Sequence, residues 1–343
     1  MRTIMTVTTT PLNPEQVQEA AAFLLNPDIT AEAKADFLAA LNARGETPEE
    51  ITFFVMEFLK HAVSVPLNRD ALQGPMLDVV GTGGDKLNLF NISTTAIFIL
   101  AAGGVTVVKH GNRGITSKSG GADVLEALGV KIDLPPERTA KALEELGVGF
   151  LFAPLYHPAF KAVVEARKLV AARGQRSIFN ILGPLLNPAR PEHQLIGVFD
   201  RALAEPFARI LQALGRKHSW VVHGEADGGR GMDELSTAGP NTIVKVSPDS
   251  METVNLHAVD LGFHKTEVND LIGGDAQMNA DMLEGILAGR LKGPRREIAV
   301  FNAAAGFVIT GKAADLHEGR KLAEDLIDRG AAHVKLRALA DFC

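Results

Sequence analysis

The sequence contains a single cysteine, Cys343, which is the last of its 343 residues. One thiol excludes an internal disulfide framework and favours a reducing compartment. The first thirty residues lack the apolar core of a signal peptide, and no run of about 18 apolar residues occurs in the chain. These absences predict a cytoplasmic protein without a membrane segment.

The sequence also lacks an excess of positive charge, since 35 Lys and Arg stand against 41 Asp and Glu. It has one Trp and one Tyr. A nucleic-acid-binding protein needs a basic stripe with stacking aromatic residues, so we expect no nucleic-acid partner. An anionic ligand must then be bound by local clusters of donors. A hydrophobic content of 46% is ordinary for a folded chain, and the length predicts roughly two domains.

The first 72 residues have the pattern of a helical domain. Asn13 and Gln16 fit a capping box around a proline, and Thr47 and Glu50 repeat that arrangement. The next segment carries an apolar stripe at helical spacing, from Ile51 to Leu59. We expect this stripe to pack on the rest of the chain or on another subunit. The predicted helical domain is residues 1–72, joined in space by part of residues 165–195.

From Met76 onward the pattern changes to short apolar runs that alternate with glycine-rich turns and helical segments. The runs are MLDVV, GVTVVKH, SWVVH and TIVKV. Strands that alternate with helices predict an α/β domain with a largely parallel sheet, here residues 73–343. Such sheets bind ligands in loops beyond the carboxyl ends of their strands. Two polar loops, GTGGD and KHGNRGITSKSGG, follow predicted strands directly.

The first of these loops has the composition of an anion-binding turn. Its glycines allow the backbone N–H groups to approach a ligand and form a concave nest. Asn91, Ser93 and Thr94 then add donors where a helix should begin, and a helix N-terminus favours phosphate. The loop matches neither the GxGxxG dinucleotide pattern nor a Walker loop. A tight structural turn is the alternative.

The second loop gathers cations in an acidic chain: Lys109, His110, Arg113 and Lys118. A solvated basic loop is the alternative to phosphate binding. Asp233 and Glu234 are adjacent after a glycine-rich turn. Neighbouring acids are common on solvated surfaces. Beside two phosphate-binding loops, however, they suggest a magnesium site, because Mg²⁺ is held by one or two carboxylates together with substrate phosphates.

Eight segments, in their order along nearly the whole chain, resemble the anthranilate phosphoribosyltransferases. They are GTGGD, NIST, KHGNR, SKSGGADVLEALG, HPAFKAVVEAR, FNILGPLLNPARP, MDELS and NAAAGFVITGK. The resemblance implies a small helical domain plus a larger α/β domain, similar to nucleoside phosphorylases and phosphoribosyltransferases. It also implies a homodimer formed through helical segments. The implied reaction transfers the phosphoribosyl group of phosphoribosyl pyrophosphate (PRPP) to the amino group of anthranilate and releases pyrophosphate, in tryptophan biosynthesis.

The resemblance assigns residues to three ligands. The residues expected around PRPP are Gly81, Gly84, Asp85, Asn91, Ser93, Thr94, Lys109, Asn112 and Ser117. Those expected at anthranilate are Gly81, Asn112 and Arg167, whose guanidinium suits a carboxylate. Those expected to bind two Mg²⁺ ions are Ser93, Asp233 and Glu234. His110 is a weak candidate for a general base, and no nucleophile is required.

Three residues depart from the pattern of that family. Lys86 stands in place of a usual glycine, Leu89 of a usual threonine and Gly121 of a usual serine. The segments KLVAARGQRSIFN and HGEADGGRGMDELS are also about three and about four residues longer than usual, a length change that surface loops tolerate. These differences leave open a related phosphoribosyltransferase, or an enzyme similar to nucleoside phosphorylases, that uses a different base or aromatic acceptor.

Overall fold

A computed structural model of the chain describes residues 7, 9–114 and 118–342. Its N-terminal part contains helices α1 (Pro14–Leu25), α2 (Ala31–Arg44) and α3 (Pro48–Lys60). Both predicted capping boxes are confirmed. The Asn13 side chain accepts the Gln16 N–H at 2.9 Å, and the Gln16 side chain accepts the Asn13 N–H at 3.0 Å. Thr47 and Glu50 make the same reciprocal pair, because two orphan N–H groups at each helix start find acceptors nearby.

A central sheet organises the rest of the chain. Its strands are β1 (Met76–Gly81), β2 (Thr106–Gly111), β3 (Val148–Phe152), β4 (His193–Gly197), β5 (His218–Glu225), β6 (Gly231–Met232), β7 (Pro240–Val246) and β8 (Met251–His257). Within the described residues the strand order is β3-β2-β1-β4-β5-β7-β8, with β6 paired to β5. Pairing is parallel from β3 to β5 and antiparallel beyond it. The predicted largely parallel sheet is confirmed.

One face of the sheet is covered by helices that follow or precede the strands. They are α4 (Ile92–Ala102), α5 (Gly121–Ala127), α6 (Pro136–Leu146), α11 (Val268–Leu271), α12 (Ala276–Leu287), α13 (Pro294–Ile309), α14 (Leu316–Asp328) and α15 (Ala331–Ala340). Helix α4 is apolar on nearly every side because it is enclosed between the sheet and helices α13, α14 and α15. These side chains belong to one hydrophobic core.

The opposite face carries a second core, which includes the N-terminal helices. The helices between β3 and β5 are α7 (Ala153–Tyr156), α8 (Val164–Ala172), α9 (Phe179–Leu182) and α10 (Ala204–Ala213). Phe54 and Phe58 of α3 are buried in this second core with residues of α8, α9, α10, β4, β5 and β7. The apolar stripe of α3 therefore packs on the rest of the chain. None of the helices in the described ranges is long and apolar enough to cross a membrane.

Helix α8 is fastened to α2 by polar contacts as well as by packing. The buried Lys34 donates from Nζ to the Ala162 carbonyl at 2.7 Å, and Arg173 pairs with Asp36 at 2.7 Å. These contacts connect the residues just before and just after α8, Ala162 and Arg173, to α2. The domain limits at residues 72 and 73 remain a prediction.

The two longer segments lie at turns. Residues 173–176, between α8 and α9, are exposed. The other segment forms the turn between β5 and β6, which contains a 3₁₀ helix at Asp227–Gly229. Both occupy surface positions where added length is tolerated.

Candidate active site

The predicted ligand loops meet at the carboxyl edge of the sheet. β1 lies between β2 and β4, and the chain order reverses there, since β2 and β3 lie to one side and β4 and β5 to the other. A crevice forms at such a switch point, because successive crossovers leave it in opposite directions. The loop of residues 82–91 follows β1 at this point, and the segment that starts at Asn112 follows β2.

Asp233 and Glu234 contact the glycine-rich loop and the start of α4. The Gly83 N–H donates to Asp233 Oδ2 at 2.7 Å, and the Ser93 N–H donates to Glu234 Oε1 at 3.1 Å. A Cβ at Gly81 would lie 2.2 Å from Asp233 Oδ2, so only glycine permits this approach. Residues that are 150 and 141 positions apart in sequence therefore form one acidic cluster at the start of α4.

The electrostatics of this cluster suit a divalent cation. Burial, with the neighbouring Asp85 carboxyl as the next cause, raises the pKa of Asp233 to about 7. Burial and the charge of Asp233 raise the pKa of Glu234 to about 8. Burial also raises the pKa of Asp85. Carboxylates held this close repel one another, and a cation relieves that repulsion.

The cluster does not form a complete metal cage by itself. In the described ranges, no group of three or more His, Cys, Asp or Glu side chains is placed to hold a metal ion. This fits Mg²⁺, which keeps few protein ligands and takes the remaining oxygens from water and substrate phosphates.

Lys109 lies beneath the acidic cluster and reaches the start of α4. Its Nζ donates to the Val79 carbonyl at 2.7 Å and to Ser93 Oγ at 3.3 Å. Burial lowers the pKa of Lys109, and the charges of Asp78, Glu234 and Asp233 oppose that shift. This buried ammonium is thus held at the point where the glycine-rich loop meets α4.

The alternative interpretation, a solvated basic loop, is wrong for Lys109 and His110. Both lie on β2 and are buried, because β2 continues its parallel pairing with β3 as far as Gly111. Arg113 is paired with Asp123 and Glu126 of α5. Lys118 is exposed. Only Lys109 of the predicted cations points to the acidic cluster.

The other described residues predicted for PRPP lie in the segments that follow β1 and β2 or at the start of α4. Asn91 immediately precedes α4, and Thr94 is buried in its first turn. Gly84 has a left-handed φ of +92°. Asn112 is exposed directly after β2, and its carbonyl accepts the Ala122 N–H at 3.3 Å. Ser117 lies outside the described residues.

The three departures from the family pattern occupy different environments. Lys86 is exposed and adopts φ +58°, the left-handed region that favours glycine. Leu89 pairs with Ile272 in an isolated antiparallel bridge. A Cβ at Gly121 would lie 3.2 Å from Thr94 Oγ1 and 3.5 Å from Lys109 Cε, so this glycine borders the crevice.

Arg167 lies beside a cluster of rings on the other side of β2. Its guanidinium carbon is 5.4 Å from the ring centre of Phe179, which is 5.5 Å from that of Phe160. Phe160 stacks on His157 at 5.1 Å, and His157 contacts His110 edge-on at 5.2 Å. We define the aromatic cluster as these four rings. Burial lowers the pKa of Arg167, and the described residues provide it with no ion-pair partner.

His110 is held neutral by its surroundings. Burial, followed by the neighbouring His157, lowers its pKa to about 3. Within the described part of the chain its Nε2 is buried without a hydrogen-bond partner. A ring with so low a pKa accepts a proton poorly near neutral pH, so we assign no proton transfer to it.

The His110→Gln variant is expected to lose part of the acid sensitivity of folding. The unfolded chain takes up a proton at this histidine near pH 6.5, whereas the folded chain does so only near pH 3. The free energy of unfolding therefore decreases as the pH is lowered through this window, by about 2 kcal/mol from pH 7.5 to pH 5 for one such group. Urea unfolding of both proteins across this range measures the difference in slope. Equal slopes would show that the folded state protonates His110 normally.

Sequence reasoning missed the buried polar residues that fix the backbone next to the site by hydrogen bonds. Asn302 of α13 holds Leu235 by its N–H and its carbonyl, both at 3.0 Å, and so fixes the backbone after Glu234. Asp78 of β1 is fully buried, receives the Gln194 amide at 3.2 Å, and has a pKa that burial raises to about 6. The available signal was a polar residue inside an apolar helix or strand, since buried polar groups are nearly always hydrogen-bonded.

Two protein-family models match the chain and identify its general class. Residues 73–333 match the family described as the glycosyl transferase family, a/b domain. Residues 6–62 match the glycosyl transferase family, helical bundle domain. The chain therefore belongs to the glycosyl transferase family that combines these two domains.

Individual relatives narrow the identification. The anthranilate phosphoribosyltransferase of Methanocorpusculum labreanum is 45% identical over 303 residues, which cover 88% of this chain and 86% of the relative. The crystal structure of the Thermus thermophilus enzyme of the same name has a TM-score of 0.88 at 39% identity, covering 97% of this chain and 96% of that chain. The Saccharomyces cerevisiae enzyme, in complex with PRPP and Mg, has a TM-score of 0.83 at 27% identity, covering 96% and 91%. The chain belongs to the anthranilate phosphoribosyltransferase family.

Proposed function

We propose that this chain transfers the phosphoribosyl group of PRPP to the amino group of anthranilate. The products are N-(5-phosphoribosyl)anthranilate and pyrophosphate, in tryptophan biosynthesis. One observation carries the proposal: β2 presents two successive residues to two different sites. Lys109 reaches Ser93 at the start of α4, and His110 contacts His157 within the aromatic cluster on the other side of the strand. The region that we propose for the phosphates and the aromatic cluster thus adjoin at one strand end.

The donor substrate would occupy the crevice beside Lys109. As pyrophosphate leaves, negative charge builds on it and positive charge builds on the ribose carbon, so the protein's main task is electrostatic. Lys109 is buried and already aimed at this region, so it needs little reorganisation to stabilise the leaving group. The proposed PRPP contacts are Gly81, Gly84, Asp85, Asn91, Ser93, Thr94, Lys109, Asn112 and Ser117.

Magnesium fits the acidic side of this crevice, and the yeast relative was solved with Mg. We propose two ions, held by Ser93, Asp233 and Glu234 with substrate oxygens. When bound, Mg²⁺ neutralises part of the pyrophosphate charge. The carboxylates suit this role because burial and mutual repulsion raise their pKa values in the absence of a cation.

The acceptor would lie between the crevice and the aromatic cluster. Arg167 offers a partly buried guanidinium that has no ion-pair partner among the described residues, and it matches the carboxylate of anthranilate. Gly81 and Asn112 are the other proposed contacts. The aromatic amine is weakly basic and loses its proton readily once bonded to the ribose, so positioning contributes more than a general base.

A fluorescence assay of anthranilate tests the reaction. We expect anthranilate to be consumed only when PRPP and Mg²⁺ are both present. A protein that binds PRPP but leaves anthranilate unchanged would contradict the proposed acceptor and favour a transferase that acts on another base.

Arg167→Ala is expected to weaken the use of anthranilate selectively. A partly buried charge-assisted contact contributes about 1.5 to 3 kcal/mol, so kcat/KM for anthranilate should fall by roughly one to two orders of magnitude. PRPP affinity should barely change. Steady-state kinetics with each substrate varied, and calorimetric titration of PRPP, separate the two effects. Arg173→Ala is the control, because Arg173 lies just after the same helix but is paired with Asp36. A loss confined to PRPP would refute the assignment.

Assembly, location and domain limits are part of the proposal. A homodimer through helical segments is proposed from the resemblance to the family. Light scattering of the purified chain measures this directly. A cytoplasmic location and the domains 1–72 and 73–343 are proposed on the sequence evidence alone.

A further inference from the structure

A short segment before α12 is fastened to the loop that leads into α4. The Gly273 N–H donates to the Asn88 carbonyl at 2.8 Å, and the Phe90 N–H donates to the Leu271 carbonyl at 3.0 Å. A Cβ at Gly273 would lie 2.8 Å from Phe90 Cα, so the two backbones are in close contact. The end of the glycine-rich loop is therefore positioned by a segment about 180 residues further along the chain.

Two asparagine side chains continue this attachment into the crevice. The Asn279 side chain is only 2% exposed; its Oδ1 accepts the Gly274 N–H at 2.7 Å, and its Nδ2 donates to Asn91 Oδ1 at 2.9 Å. Asn91 Nδ2 in turn donates to the Ser119 carbonyl at 3.3 Å. We call these three bonds the amide relay. Because one end is a backbone N–H and the other a backbone carbonyl, the orientation of both amides is fixed.

The amide relay places Asn91 in an unusual position. Asn91 precedes the first residue of α4, where an asparagine side chain normally accepts an N–H from the first turn. Here it makes no capping bond, and the Ser93 N–H goes instead to Glu234. Among the described residues, no side chain caps the Thr94 N–H. Uncapped N–H groups at a helix start are the donors that bind phosphate.

We propose that Asn279 is a positioning residue for PRPP, which holds the Asn91 side chain away from the start of α4 so that the Thr94 N–H faces the phosphate ligand. Asn279 itself lies in α12 and acts through Asn91. The inference rests on the proposed function, because it assumes that PRPP is the ligand of this crevice. Without Asn279, the Asn91 amide is free to turn and cap α4, and it then competes with the substrate.

Asn279→Asp tests this role with little change in shape. A carboxylate still accepts the Gly274 N–H but has no proton to donate to Asn91. The dissociation constant for PRPP with Mg²⁺, measured by calorimetry without anthranilate, is expected to rise roughly tenfold. The KM for anthranilate should stay unchanged. Gln277→Glu is the matched control, because it makes the same amide-to-acid change on the exposed side of α12.

A double-mutant cycle shows whether Asn279 acts through Asn91. In an Asn91→Ala background, Asn279→Asp should weaken PRPP binding by less than about twofold, because the side chain that it positions is gone. An equal loss in both backgrounds would indicate general damage to the fold and overturn the inference. Asn279→Ala introduces no buried charge and repeats the test if Asn279→Asp is poorly folded.

The outcomes separate this inference from the proposed function. If the wild-type protein binds PRPP but consumes no anthranilate, the proposed function fails while the calorimetric comparison still decides the role of Asn279. If the wild-type protein consumes anthranilate and Asn279→Asp binds PRPP with wild-type affinity, the inference alone is overturned.

Discussion

Replacing Asp233 with Asn and Glu234 with Gln is expected to reduce turnover by about a thousandfold, because binding of the metal contributes several kcal/mol to stabilising the leaving pyrophosphate. The fold should survive. The amide oxygens can still accept the Gly83 and Ser93 N–H groups that now bond to the carboxylates. Removing two buried acids with raised pKa values also removes their mutual repulsion, so the melting temperature should stay the same or increase.

Turnover measured across a range of Mg²⁺ concentrations, with thermal unfolding of the same samples, checks this expectation. Asp249→Asn with Glu252→Gln is the matched control, because it makes the same change of charge on exposed residues at and beside β8. The control should keep wild-type activity. Wild-type turnover of the double variant at limiting Mg²⁺ would exclude a metal role for Asp233 and Glu234.

The parts of the fold that the sequence predicts well are those set by neighbouring residues. The capping boxes at Asn13 and Thr47 depend on residues three positions apart, and both form as expected. The ligand loops follow β1 and β2 because a glycine-rich turn after an apolar run is also a local signal. The end of β2 was less evident, because Lys109 and His110 belong both to the predicted strand run and to the predicted polar loop. In the structure they are paired with β3.

The parts that sequence reasoning missed depend on partners far apart in the chain. Asn279 binds Asn91 across 188 positions, and Asn302 binds Leu235 across 67. Neither asparagine belongs to a pattern with a recognisable spacing. The need for Gly81 is similar, since it arises from the approach of Asp233 and not from a turn. A single sequence carries no record of such pairs. The resemblance pointed to the carboxylates and to Arg167, whose roles remain predictions.

Gly84→Val is expected to weaken PRPP binding by at least about a hundredfold through two effects. Gly84 has φ +92°, a conformation that costs an L-residue about 1 to 2 kcal/mol and that a β-branched residue adopts least readily. A Cβ at Gly84 would also lie 3.4 Å from two atoms of the Phe199 ring, so the larger side chain must displace the loop or the ring. Either shift moves the N–H groups that are expected to surround the phosphates.

Calorimetric titration of PRPP with Mg²⁺ and urea unfolding of the same proteins distinguish backbone strain from loss of the binding site. Gly45→Val is the control for strain, because Gly45 has φ +88°, lies after α2 and has no atom within 4 Å of its missing Cβ. Both variants should lose stability, but only Gly84→Val should lose PRPP affinity. Gly84→Ala should be intermediate, since its single methyl group meets Phe199 only at contact distance. A folded Gly84→Val protein with wild-type PRPP affinity would remove this loop from the donor site, and Lys109 would then need another phosphate-binding partner.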